Sequence, residues 1–134
     1  MRIAFASNDG TNINEHFGSA KQFFFFDVGP DFARPYGKAV VGWAKDDHEH
    51  KLMIRVNAVD GCTLMYCAQI GGPAAAKLVA RHIHPLKARP EQTIESAIIE
   101  LQQVLSKPRL APWLRIAAGL KAPEPAPLEE TPDT

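Results

Sequence analysis

No apolar stretch in these 134 residues approaches the roughly 18 to 20 that a helix needs to cross a bilayer, so no helical membrane span is expected. The opening Met1-Arg2-Ile3-Ala4-Phe5 runs straight into a strand-like pattern with no signal-peptide hydrophobic region, and a cytoplasmic protein is expected. Only two cysteines occur, Cys62 and Cys67. They make no disulfide framework and no Cys-x-x-Cys pair, and two thiols cannot supply the four cysteine ligands of a typical iron-sulfur centre. No permanently built-in cofactor is expected. Walker A, G-x-G-x-x-G and G-x-S-x-G sequences are missing, and no nucleophile sits with an obvious base, so no catalytic residue is assigned. Charge of one sign is lacking too, with 15 basic and 15 acidic residues.

What is present is globular. The composition is 46% hydrophobic and 22% charged, which excludes disorder throughout. The length suits one ordinary domain. The zero net charge hides an asymmetry, because residues 122–134 hold Glu124, Glu129, Glu130 and Asp133 and no Lys or Arg. That leaves 15 basic against 11 acidic groups in residues 1–121, a body of about +4. Much of the excess lies late, at Lys77, Arg81, Lys87, Arg89, Lys107, Arg109, Arg115 and Lys121. It suits an anionic ligand or partner, or simply a solvated basic face, and is too small to point to nucleic acid.

Arg2–Ser7 reads as a first strand ending at the Asn8-Asp9-Gly10 turn signal. Gln22–Val28, with four consecutive phenylalanines, reads as a buried second strand. Asp31–Gly37 holds Pro35 and Gly37 and reads as a connection, with a third strand at Lys38–Ala44 closing a hairpin with a long loop. Asp46 and Asp47 are N-cap candidates for a helix in which Leu52, Val56 and Val59 share one face and Asp60-Gly61 marks the end. Thr63–Cys67 is a fourth strand, Gly71-Gly72-Pro73 a turn into a helix over Ala74–His82, and Ile83–Lys87 a fifth strand. Pro90 opens the longest helix, where Ile94, Ala97, Ile98, Leu101, Val104 and Leu105 recur at helical spacing. Leu110–Leu120 reads as a helical extension within 107–121, and the acidic, proline-rich residues 122–134 as a disordered tail.

This order predicts a mixed α/β, five-stranded sheet with helices on its faces, spatial order 3-2-1-4-5, strand 2 antiparallel to its neighbours. The chain leaves strands 1 and 4 toward opposite edges, so the crevice at their carboxyl ends is the expected ligand site. Residues 8–19 and 67–74 meet there. The first segment packs amides, carboxylates and hydroxyls around one imidazole, His16, with Phe17 as apolar anchor. A solitary loop histidine serves equally well as a capping or solvated residue; a neighbouring carboxylate favours it as a metal ligand. In the second, Gly71 and Gly72 let a ligand approach a helix N-terminus or merely allow tight packing. Cys67 is either a soft ligand or a buried strand residue. His48 and His50 fall on different helix faces and read as structural, while His82 and His84 flank strand 5 with optional charge or a ligand role.

Taken together, Met1-Arg2-Ile3-Ala4-Phe5-Ala6-Ser7, the Asp9-Gly10 turn, Asn14-Glu15-His16-Phe17-Gly18-Ser19-Ala20, and Cys62 to Cys67 followed by Ile70-Gly71-Gly72-Pro73-Ala74 resemble the nitrogenase iron-molybdenum cofactor carrier family, in particular its NifX-like members. The resemblance covers about residues 1–106, a carrier domain, and leaves the helical extension and tail outside. It implies a ribonuclease H-like fold and non-catalytic binding and transfer of iron-sulfur cofactor precursors, the NifB cofactor or a related cluster. Implied partners are the cluster-building enzyme, the maturation scaffold and apo-dinitrogenase, with neither nucleic acid nor membrane. The family's histidine-phenylalanine-glycine loop maps onto His16-Phe17-Gly18, which makes His16 the expected iron ligand, with Cys67 as a second candidate. Asn8, Asp9, Gly10, Asn14, Glu15, Phe17, Gly18, Ser19, Gly71 and Gly72 are the residues expected around the cargo. Two alternatives are a regulatory protein-interaction module that carries no cluster and, by fold analogy alone, a metal-dependent nuclease using Asp9 and Glu15.

Overall fold

After Arg2 the first strand has only apolar side chains, and a strand so composed must be covered on both faces. The computed structural model, which describes residues 1–41 and 48–106, places it at the centre. The elements are β1 (Arg2–Ala6), β2 (Gln22–Gly29), β3 (Phe32–Val40), α1 (His48–Ala58), β4 (Leu64–Cys67), α2 (Gly72–Ala80), β5 (His84–Lys87) and α3 (Ile94–Leu105). A single 3-10 turn, Phe17–Ser19, precedes β2. The sheet order is β3-β2-β1-β4-β5, with β2 antiparallel to β1 and β3, and β1, β4 and β5 parallel. This is the predicted order.

Side chains alternate across the strands into two cores. Ala4, Ala6, Phe23, Met65 and Cys67 face the side closed by Leu52 and Val56 of α1 and Leu78 of α2. Ile3, Phe5, Val28, Leu64 and Tyr66 face Ile94, Ala97, Ile98 and Leu101 of α3. Phe5 is fully enclosed, with its ring stacked on Tyr66 at 5.3 Å and edge-on to Phe26 at 5.7 Å. Burying one such side chain stabilises the fold by about 1.5–3 kcal/mol.

Three features differ from the sequence-based expectation. The hairpin of β2 and β3 has no long loop: Gly29 pairs with Phe32 across Pro30-Asp31, and β3 runs through the segment expected to connect. Pro35 and Gly37 are tolerated because β3 is an edge strand, and a register shift beside Phe25 and Phe26 absorbs Tyr36 as a bulge. A Cβ at Gly29 would overlap the Phe32 ring, so any larger residue there requires that exposed ring to shift. Pro90 does not open α3; Thr93 does, its Oγ1 accepting from the Ser96 N–H at 3.0 Å. Of the phenylalanine run only Phe23 is fully buried, and Phe24, Phe25 and Phe26 are half-buried. The end of α1 is as expected, with Val59 buried and Gly61 at φ +89° just past it. The N-cap candidates Asp46 and Asp47, residues 42–44 of the expected third strand, and the extension and tail lie outside the described residues.

Candidate functional site

The chain leaves β1 at Ser7 and builds its next loop around one carboxylate. Asp9 Oδ1 accepts from the main-chain N–H groups of Thr11 at 2.8 Å and Asn12 at 2.9 Å and from the buried Ser7 hydroxyl at 3.0 Å. Its Oδ2 accepts from Asn12 Nδ2 at 2.9 Å. These donors favour the charged form, so the Asp9 carboxyl is held far below the usual carboxylate range. Ser7 Oγ also accepts from the Gly10 N–H at 2.9 Å, and Gly10 takes φ +78°, a conformation glycine enters without steric cost. Asn8 and Asn14 close the loop reciprocally, the Asn8 N–H donating to Asn14 Oδ1 at 3.0 Å and Asn14 Nδ2 donating to Asn8 Oδ1 at 2.9 Å. The loop's polar side chains thus hold the loop itself.

Both edges of the loop are then sewn to neighbouring segments. On the α3 side the Ile13 N–H donates to the Gln92 carbonyl at 3.0 Å and the Ile94 N–H to the Thr11 carbonyl at 2.8 Å. On the β4 side the Ala68 N–H donates to Glu15 and the Phe17 N–H to Gln69, each at 2.9 Å. Ile13 is buried in the α3-side core and Phe17 in the opposite one. The loop therefore bridges both cores over the carboxyl ends of β1 and β4, and the exposed His16 stands between its two anchors.

Two clefts flank His16 and Gln69. One, of about 590 Å³, is lined by Gly18, Ser19, Ile70 and Gly71. The other, of about 690 Å³, is lined by Asn12, Asn14, Lys87, Arg89 and Glu91. His16, Gly18, Ser19 and Gly71 are therefore brought together as expected, and Asn14 joins from the other side. The remaining expected residues stand apart. Gly10 lies in a separate groove with Thr93 and Ile94, Phe17 is a buried anchor, Glu15 is half-buried, and Gly72 begins α2 behind Gly71. Among the described residues no three His, Cys, Asp or Glu side chains cluster to hold a metal ion.

Cys67 faces away from the clefts into the α1 and α2 core. Its side chain is fully enclosed, its Sγ lies 3.8 Å from the Leu86 carbonyl oxygen, and burial pushes the thiol up to about 11. A thiol held protonated in an apolar core is a poor ligand, and the burial of Cys67 favours its reading as a strand residue of the core. His84 begins β5, at the end of the strand opposite Lys87 and the cleft.

Sequence reading missed Gln69, Lys87, Arg89 and Glu91 as a group. They come from the ends of β4 and β5, and the available signal was Pro90. The Gln92 N–H donates to the Arg89 carbonyl at 3.1 Å, closing a turn with Pro90 second and Glu91 third at φ +63°. That third position favours glycine. Arg89 is oriented by Glu100, which accepts from two of its guanidinium nitrogens, one at 3.1 Å. The pairing raises the Arg89 pKa and lowers that of Glu100. Lys87 carries the other cation into the cleft.

The sequence model of one family, described as dinitrogenase iron-molybdenum cofactor, matches residues 1–104. Protein NifX of Sinorhizobium fredii (strain NBRC 101917 / NGR234) is 36% identical over 138 residues, covering 97% of this chain and 86% of that protein. Protein NifY of Klebsiella pneumoniae is 37% identical over 120 residues, covering 90% of this chain and 51% of that protein, so the chain spans about half of it. The crystal structure of PH0822 superposes with a TM-score of 0.57 at 22% identity, covering 77% of this chain and 89% of that one. At that identity the likeness concerns the fold alone.

Proposed function

The chain belongs to the dinitrogenase iron-molybdenum cofactor family, and on that premise we propose that it binds iron-sulfur precursors of the cofactor and passes them on without chemical change. The observation that carries this reading is the placement of His16. It is the exposed imidazole on a rigid loop, set between two clefts, while the neighbouring polar side chains are committed to the loop itself. Imidazole is a competent iron ligand. One such ligand, helped by Lys87 and by the approach that Gly18 and Gly71 leave open, suits a cargo that must be released, whereas a full thiolate cage would retain it. The donor and acceptor proteins would be the cluster-building enzyme, the maturation scaffold and apo-dinitrogenase. We also read the mixed sheet as ribonuclease H-like. A nuclease would need carboxylates converging on metal, and the oxygens of Asp9 are already engaged by Ser7, Thr11 and Asn12.

The test is anaerobic loading with an isolated iron-sulfur cofactor precursor, re-purification, and measurement of iron and visible absorption for the wild type and His16→Ala. Iron retained by the wild type and lost from the variant at unchanged melting temperature is the expected result. Equal retention removes His16 as ligand. No iron in either overturns the carrier reading in favour of a protein-contact module.

A further inference from the structure

Helix α1 contains one charged side chain that the core encloses: Arg55 is 5% exposed. Taking a guanidinium out of water is unfavourable unless its donors are met, and burial lowers its pKa. Its partners are carbonyls. Nη1 donates to Lys51 one turn back at 3.1 Å, and Nε crosses to the Ala20 carbonyl at 2.9 Å.

Ala20 is the residue that ends the Phe17–Ser19 turn. Within this turn the Ser19 N–H donates to the His16 carbonyl at 3.2 Å and the Ala20 N–H to Phe17 at 3.4 Å. His16 is held before it by the Glu15 carbonyl, which accepts from the Ala68 N–H at 2.9 Å, and after it by the Phe17–Gln69 bond and then by this turn. The turn is one residue triplet long, too short to hold its own direction by internal hydrogen bonds. Its far end is held by Arg55, from a helix that lines neither cleft.

We propose that Arg55 is a positioning residue of the cargo site: by gripping the Ala20 carbonyl it fixes the turn that follows His16, and so sets the direction in which the imidazole meets the cargo. This rests on the carrier reading above. Lysine keeps the charge but lacks the planar fork that reaches both carbonyls, and methionine removes the charge at similar length.

The experiment is a double-mutant cycle on equilibrium binding, combining Arg55→Lys with His16→Ala and titrating each protein anaerobically with the isolated iron-sulfur cofactor precursor. Arg55→Lys is expected to weaken binding by the about 10- to 100-fold typical of losing a support behind a metal ligand, and to have no further effect in the His16→Ala background. An equal weakening in both backgrounds, or none in either, overturns the proposal. Should Arg55→Lys not fold, Arg55→Met takes its place in the same cycle. If the wild type takes up no iron, the carrier reading fails on its own account, and amide exchange of the cargo-free protein decides the positioning role. Exchange at Phe17 and Ala20 should then quicken at least about tenfold in Arg55→Lys, a local opening set against an unchanged Ala97 amide in α3. Unchanged exchange at Phe17 and Ala20 overturns it.

Discussion

The main-chain N–H of Phe17 donates to the carbonyl of Gln69 at 2.9 Å, and that bond carries the loop after β1 across to the chain leaving β4. It sets His16 beside Gln69, so the same two side chains border both clefts. The ring of Phe17 locks the arrangement from below, lying 5.6 Å from Phe23 in the α1 and α2 core.

Phe17→Ala is expected to destabilise the domain by about 3–5 kcal/mol, because a fully buried aromatic leaves a cavity that a strand-bound core cannot close. Thermal or urea unfolding measures it. A loss under about 1 kcal/mol would mean that the site collapses readily and that the loop does not depend on this anchor.

Asp9 makes the order of the loop acid-sensitive. Its pKa is lowered in the folded protein from an ordinary 3.8, so its contribution is fully present above that value and disappears as the pH falls through the lowered one. Amide exchange at Thr11 and Asn12 should accelerate, relative to the core strands, as the pH falls below 3.8 in the wild type. In Asp9→Ala the two amides should be unprotected at neutral pH and show no such relative change. Identical behaviour of the two proteins would remove Asp9 as the organiser.

Two turns differ in how well their residues fit a left-handed backbone. Gly10→Ala should lose about 1–2 kcal/mol, since a Cβ at φ +78° is strained and would stand 3.2 Å from the Phe24 ring. Glu91→Gly, at φ +63°, should leave stability unchanged or higher by up to about 1 kcal/mol, relief of strain being partly offset by the freedom glycine gains when unfolded. Chemical denaturation of both variants checks the contrast. A clear loss in Glu91→Gly would show that the Glu91 side chain itself stabilises the turn.

The two thiols should be silent in the native state. Burial pushes Cys62 and Cys67 each up to about 11, so at pH 8 neither is a thiolate or open to a disulfide reagent until the protein unfolds. Titration with a thiol-reactive chromophore, with and without denaturant, reads this directly. Cys67→Ala should retain cargo as the wild type does, and a loss of iron from it would return Cys67 to the ligand set.

Much of the architecture was legible along the chain. The apolar run after Arg2, the hairpin signal and the helices between later strands are local patterns, and the sheet order follows from them through the handedness of crossovers. The start of β3 was not legible, because Pro35 and Gly37 are read as breakers unless the strand is known to lie at an edge. Nor was the cap of α3. Pro90 and Thr93 are both start signals, and only the Ser96 N–H selects between them. Residues 107–134, expected as a helical extension and a tail, lie outside the described residues.

For the site the division is sharper. The residue types themselves point to the loop: an imidazole, amides and glycines at a strand end, facing a second glycine turn across the point where the chain changes direction. Where those residues point was decided only in three dimensions. Asn8, Asp9 and Asn14 commit their side-chain hydrogen bonds to the loop, Cys67 turns into the core, and Lys87 and Arg89 arrive from β5 and the turn after it. Local order along a chain fixes which segments form and roughly where they meet. Which side chain is left facing solvent depends on which hydrogen bonds and burials its neighbours have already satisfied, and those partners are distant in sequence.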